Sequence, residues 1–446
     1  MISRPLKTCL VGLLTVGAVA TVQGQTEALC VPPPAATFQS ISRAEMESML
    51  ADVAVSNPMV LDRFREDPES KTAQIDNLRE LLAIAYTAVK EGHAAKPNNC
   101  RELEYTRDEL IATQYDKEKN KGKGKQPPFG FITDASVAAY WRGTAVNPLS
   151  STVREDREAG FQKFLEGKLG LLAAENPAMK DRAVSDAEIE QARGFYAKVQ
   201  ISADEYKARS AALPTAFKEK AQLQVKLQQA QFLARRYAEV IASKVTASDA
   251  EIERFIAADP ALSSASKRTK AEQIFARAKK GEDFAALANE FSEDPGNGSE
   301  SEGKHGGMYR SVRKGQMIPA FETAALASEP GQVYPALVET EYGFHIVKLE
   351  KKDADDTYDV RHILISTTVK DPENPDGREL PIKSYARTTV EEAKQKKLIE
   401  SFVAEGRITV AEDFLVPTAA MAKAPVKRVA KPAKKPVARR TVRKRS

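Results

Sequence analysis

The residues best placed to do chemistry are two histidines, His345 and His362, in short segments of alternating polarity, Phe344–Glu350 and Tyr358–Ile365. A period of two is the signature of a strand, so each imidazole has a defined face. An imidazole donates and accepts hydrogen bonds and titrates near neutral pH. Read from the residues alone, these two could equally form a satisfied structural pair. Asp294 directly precedes Pro295 and, read alone, is an exposed turn residue. Met317 and Phe321 are four apart, the spacing of one helix face, and read alone they are core packing. The remaining histidines, His93 and His305, lie in polar stretches and read as inert. The Lys/Gly run 119–125 lacks the GxxxxGK[ST] pattern of a phosphate-binding loop and reads as a solvated loop. No CxxC or Cys/His cluster indicates a metal, and no cofactor is implied.

The chain that must position these groups has 446 residues, enough for two or three folded units. Its formal charge of +5 hides an asymmetry: residues 423–446 hold eleven Lys/Arg and no acid. Setting these and the leader's Arg4 and Lys7 aside leaves −8 on residues 25–422. Arg4 and Lys7 precede an apolar run, Cys9 to Val22, shorter than the roughly 20 residues that span a bilayer. Residues 1–24 therefore read as an export signal cleaved after Gly24 or Ala20, the alternative being a retained anchor. No later stretch is long and apolar enough to span, so no stable membrane span is expected after cleavage. Cys30 and Cys100 then remain, either as one disulfide in an oxidising compartment or as two unrelated thiols.

Residues 25–39 read as a linker. Residues 40–247 read as a helical domain, with apolar positions three and four apart as in Ile75, Leu78, Leu82, Ala85 and Val89. Ser185–Glu188 and Ser248–Glu251 each have the form of a capping box that starts a helix. From Lys267 the pattern becomes compact α+β: helices at Lys267–Lys280 and Phe284–Phe291, strands at Met308–Val312, Gln332–Val338, Phe344–Glu350 and Tyr358–Ile365, and a helical turn at Ala320–Ala327. Residues 366–386 read as loop, followed by a helix at Val390–Glu405 and a strand at Ile408–Ala411. Residues 417–446 are a basic Ala/Pro/Val-rich tail that cannot build a core. The fold class is α+β: a mostly helical body, a small antiparallel sheet with helices, and the tail.

The α+β segment resembles a parvulin-type rotamase, a peptidyl-prolyl cis-trans isomerase. The likeness rests on GEDFAALANEFSEDPG (281–296), Gly306-Gly307 before a strand, KGQMIPAFETAALASEPGQV (314–333) and YGFHIVKLE (342–350), in the family's order over about 85 residues. The family's opening His-Ile-Leu strand does not precede Lys267. It stands after the segment, at His362-Ile363-Leu364, which implies a circularly permuted domain occupying residues 248–366. Pairing Glu350 with Thr357 would oppose Lys348 to Asp359 and His345 to His362. His345, Val347, Leu349, Tyr358, Val360, His362 and Leu364 would then share one face. A second, truncated rotamase domain beginning at residue 358 is the alternative, without a second GQM or SEDP motif to support it.

The resemblance implies an isomerase with an apolar proline slot at Met317 and Phe321, Tyr309 at the pocket wall, His345 and His362 as linked imidazoles, and Asp294 beside the carbonyl path. It departs from the family at Tyr309, where leucine is usual, at Arg310, which replaces glycine, and in a longer loop 297–305. The helical region and residues 367–416, returning to it, resemble the body of exported parvulin chaperones. The expected function is isomerase and folding chaperone for unfolded or nascent exported polypeptides containing X-Pro bonds, in the periplasm or cell envelope. The alternatives are a holdase whose rotamase domain is catalytically weak, and a protein binding anionic envelope polymer or nucleic acid through its basic tail.

Overall fold

The computed structural model describes residues 30–124, 126–143, 154–180, 182–298, 303–353, 356–370 and 379–417. The expected export signal, residues 25–29 of the expected 25–39 linker and all but the first residue of the basic tail lie outside them. The chain divides into two compact units: unit 1 comprises residues 1–238 and 399–446, and unit 2 residues 239–398.

Unit 1 opens with a short strand β1 (Ser40–Ile41) and continues through α1 (Arg43–Ser56), α2 (Pro58–Glu66), α3 (Pro68–Lys90), α4 (Pro97–Lys119), α5 (Asp134–Trp141), α6 (Arg154–Glu175), α7 (Asp186–Arg209) and most of α8 (Thr215–Val245). Prolines end and start these helices where the sequence puts them, Pro68 and Pro97 each at a first helical position. The capping box at Ser185 forms, with the Glu188 carboxylate accepting the Ser185 N–H at 3.1 Å. Aromatic side chains dominate one core: Tyr105, Phe129, Phe161 and Tyr196 pack between α4, α6 and α7. Residues 121–124 of the Lys/Gly run are exposed, and the following segment is fixed where the buried Asp116 carboxylate accepts the Phe129 N–H at 2.9 Å. Cys30 is disulfide-bonded to Cys100 on α4. The C-terminal strand β8 (Thr409–Val410) lies parallel to β1, with Ile41 opposite Val410 and both buried.

Unit 2 contains α9 (Asp249–Ala258), whose Ser248 capping box also forms, then α10 (Ala265–Lys279), α11 (Phe284–Phe291), β2 (Met308–Arg313), α12 (Pro319–Leu326), β3 (Val338–Thr340), β4 (Gly343–Lys352), β5 (Thr357–Ser366), β6 (Thr368–Val369), β7 (Leu380–Pro381) and the first part of α13 (Ile382–Gly406). Four strands form one antiparallel sheet in the order β2-β5-β4-β3, so the last of them in sequence fills a central place. Strand alternation splits two cores. Phe344, Ile346, Ile363 and Ile365 face α10 and α11, whereas Val347, Leu349, Tyr358 and Val360 face α12.

Three expectations need correction. The register of β4 on β5 is shifted by two: His345 lies opposite Leu364, Val347 opposite His362 and Lys348 opposite Arg361. Strand β4 runs on to Lys352 with a bulge after Leu349, and the turn closes with Asp353 N–H donating to the Thr357 carbonyl at 2.9 Å. A shift of two preserves the face of every side chain, so the grouping of the two histidines stands while the Lys348–Asp359 pair does not. Glu350 instead accepts from both Lys348 and Arg361, each at 3.0 Å. The strand expected at Gln332–Val338 is only an isolated bridge at Val333, because Pro335 has no N–H to continue the ladder, and β3 starts at Val338. Helix α13 starts at Ile382, directly after Pro381, rather than at Val390.

Candidate active site

Asp294 caps a single 3₁₀ turn, Pro295–Asn297, its Oδ1 accepting the Gly296 N–H at 3.0 Å. The preceding residues are tied to β5: Glu293 N–H donates to the Leu364 carbonyl at 2.8 Å, and Ser366 N–H donates to the Glu293 carboxylate at 2.8 Å. The following residues are held by Asn297, only 2% exposed, which donates to the Ala288 carbonyl at 3.0 Å and accepts the Gly307 N–H at 2.5 Å. Gly307 has φ +69 and sits so close to β5 that a Cβ would lie 2.1 Å from the His362 carbonyl oxygen. These anchors bring the Asp294 carboxylate against the central strand.

There Asp294 Oδ2 lies 2.6 Å from His362 Nε2 and accepts the Tyr309 hydroxyl at 2.7 Å. His362 Nδ1 lies 3.3 Å from His345 Nδ1, and His345 Nε2 lies 2.8 Å from Thr340 Oγ1, which accepts the Tyr342 N–H at 3.2 Å. Both imidazoles are buried, at 4% and 7% exposure. Phe321 stands edge-on to both rings, 5.5 Å from His345 and 5.2 Å from His362, and Met317 packs half-buried into the same apolar cluster as Tyr309 and Phe321.

The electrostatics order the protons along this chain. Burial alone would raise the Asp294 carboxyl, but His362, the Tyr309 hydroxyl and the Gly296 N–H outweigh it and lower it to about 2. An ionised carboxylate only accepts, so the His362 Nε2 that faces it carries a proton. With the proton between the two Nδ1 atoms on His345, its Nε2 accepts from the Thr340 hydroxyl. Burial, then the neighbouring His362, push His345 down to about 4, so it is neutral at pH 7. Burial and the adjacent carboxylate raise the Tyr309 phenol, which stays protonated and donating.

All six residues singled out for the site, Asp294, Tyr309, Met317, Phe321, His345 and His362, thus come together. Thr340 was missed; it lies on β3 two residues beyond Val338, which faces His345, but the strand was expected to end there. Asn297 was missed because buried asparagine in a Gly-rich loop has no periodicity to announce it. Among the described residues no group of His, Cys, Asp and Glu could hold a metal ion.

Residues 255–351 match the family model described as Rotamase: PPIC-type PPIASE domain. The match stops before β5 and His362. Foldase protein PrsA of Geobacillus kaustophilus is 36% identical over 100 residues, covering 22% of this chain and 34% of that one. Foldase protein PrsA 3 of Bacillus cereus is 42% identical over 82 residues, covering 18% of this chain and 27% of its own length. Chaperone SurA of Chromohalobacter salexigens is 33% identical over 131 residues, covering 28% of this chain and 29% of its own. The chain spans about a third or less of the length of these curated relatives. With the sheet, the paired imidazoles and these matches in hand, the chain carries a parvulin-type peptidyl-prolyl cis-trans isomerase domain of the PPIC kind.

Proposed function

We propose that the whole protein is a peptidyl-prolyl cis-trans isomerase and folding chaperone acting on unfolded exported polypeptides. The observation that carries the reading is the ordered row Tyr309–Asp294–His362–His345–Thr340 beside the apolar side chains of Phe321 and Met317. Prolyl isomerisation breaks no bond. Its barrier, about 18–20 kcal/mol, is the amide resonance lost on twisting, and unaided X-Pro bonds cross it in tens to hundreds of seconds. A site accelerates it by gripping the proline ring and binding the twisted amide more tightly than either planar form. Met317, Phe321 and the Tyr309 ring grip the proline. The imidazole row holds the floor of the slot rigid and keeps His345 neutral, and Asp294 lies beside the path of the rotating carbonyl.

Strand β5 takes the place of the family's opening His-Ile-Leu strand, which makes residues 248–366 a circularly permuted domain. The names of the relatives, foldase and chaperone, support clients that are unfolded chains. Export to the periplasm or cell envelope is supported by the leader's composition and by the Cys30–Cys100 bridge. The eleven Lys/Arg of residues 423–446 suit an anionic envelope polymer, and deleting them should abolish salt-sensitive anion binding.

The test is NMR exchange spectroscopy on an X-Pro peptide with the full chain added. Faster cis/trans exchange supports the proposal. Unchanged exchange together with suppressed aggregation of an unfolded client would replace it with the holdase reading.

A further inference from the structure

We infer that Tyr309 is a positioning residue: its hydroxyl, seated over Gly296, fixes the Asp294 carboxylate in the one orientation that orders both imidazoles. This rests on reading the cluster as an isomerase site, and it adds to that reading a residue acting at one remove from the substrate amide.

The carboxylate is held from three separate segments. Its own turn supplies the Gly296 N–H to Oδ1, β5 supplies His362 to Oδ2, and β2 supplies the Tyr309 hydroxyl to that same Oδ2. Without the third bond, Oδ2 has one partner and the carboxylate can turn about its Cβ–Cγ bond; with it, Oδ2 is fixed between two donors. The Tyr309 ring also stands edge-on to His362 at 5.3 Å, so one side chain touches both members of the pair it aligns.

The backbone is built around this contact. A β-bulge follows Tyr309, with Ser311 at φ +50 and its N–H donating to Asp359 at 2.7 Å. The extra residue lets Tyr309 and Val312, three apart, pack on the same face, which a regular strand forbids. On the opposing turn, a Cβ at Gly296 would lie 1.8 Å from the Tyr309 hydroxyl oxygen and 2.8 Å from its Cζ. The Gly296 backbone is not in the left-handed region, so alanine there is opposed by the tyrosine and not by φ. Gly296 is the space that Tyr309 needs.

Two variants therefore break one bond from opposite sides. Tyr309→Phe keeps the ring and deletes the hydroxyl; Gly296→Ala keeps the hydroxyl and displaces it. In full-length protein at pH 7, imidazole ¹⁵N–¹H spectra of the wild type should show His362 protonated on Nε2 and His345 on Nδ1. Both variants should shift these nitrogens toward tautomer mixtures and lower kcat/KM on an X-Pro peptide by about tenfold, the scale of one lost hydrogen bond to a charge. The double variant should be no worse than either single one, because both remove the same interaction. Wild-type nitrogen shifts in both variants would overturn the inference, as would full additivity of the two. Shifted nitrogens with unchanged exchange rates would leave Tyr309 as the positioning residue and sink the isomerase reading instead.

Discussion

His345 and His362 meet diagonally across β4 and β5, not face to face: their Nδ1 atoms are 3.3 Å apart while each lies opposite an aliphatic residue, Leu364 and Val347. The rings are nearly parallel, at 14°, with centroids 5.6 Å apart. Directly opposed Cβ atoms would be about 4.5–5.5 Å apart and would press ring on ring. The diagonal offset turns that contact edge to edge, so nitrogen meets nitrogen and a single proton can lie between them.

One consequence is a loss of stability on mild acidification. His345 is depressed to about 4 from an ordinary 6.5, so as pH falls below 6.5 the unfolded chain takes up a proton that the folded chain refuses. The stabilisation is full above 6.5 and declines until about pH 4, by about 2 kcal/mol between pH 7 and 5. Asp294, also depressed, contributes a separate loss below its ordinary 3.8 and toward 2. Urea unfolding of unit 2 followed at pH 7 and pH 5 should show the first decline. His345→Gln should flatten it, and an unchanged slope in that variant would refute this assignment.

The slot is open to a milder probe than Phe321, which is 3% exposed and supports the core beneath both imidazoles. Phe321→Ala should cost about 3–5 kcal/mol of stability and confuse the assay. Met317 is half-buried. Met317→Ala should lower kcat/KM about tenfold through lost contact with the proline ring, at a stability cost below about 2 kcal/mol. Exchange at the wild-type rate in folded Met317→Ala protein would remove Met317 from the slot.

Two left-handed glycines should respond very differently to alanine. At Gly315, φ +87, nothing lies within 4 Å of a Cβ, and the cost is that of the conformation, about 1–2 kcal/mol. At Gly307 the new methyl also strikes the His362 carbonyl, whose own N–H donates to the Gly307 carbonyl at 2.9 Å. Gly307→Ala should therefore lose more than about 3 kcal/mol in denaturant unfolding and disturb the His362 amide resonance. Equal costs at the two sites would contradict the close packing of this loop on β5.

The Cys30–Cys100 bridge spans 70 residues. Its loss relaxes a long loop in the unfolded chain, worth about 4 kcal/mol on the chain-entropy account. Cys100→Ser or a reductant should lower the melting of unit 1 and leave the imidazole resonances of unit 2 in place. A melting curve insensitive to reductant would show that the bridge contributes nothing.

Much of this was legible because local chemistry spoke plainly. Ser185 and Ser248 announced their helices through a glutamate three residues on, and both boxes form. Alternation assigned His345 and His362 to one face, and that assignment survived an error of two in register, since side-chain direction repeats every two residues. The register itself depended on where β4 ends and on the bulge after Leu349, neither of which leaves a mark in residue type. Thr340 and Asn297 were invisible for a related reason: each matters through side-chain hydrogen bonds to a neighbouring strand or loop, and such pairings exist only once the chain is folded.

The parallel pairing of β1 with β8 joins residue 41 to residue 410, so the two ends of unit 1 are separated in sequence by the whole of unit 2. During synthesis, Ile41 has no Val410 to cover it until nearly every other folded residue has been made. The proline-handling unit, contiguous in sequence, is complete by then. A chain of this layout finishes its inserted segment before the two flanking ends can pair, and a ribosome stalled before residue 409 would leave β1 without its partner strand.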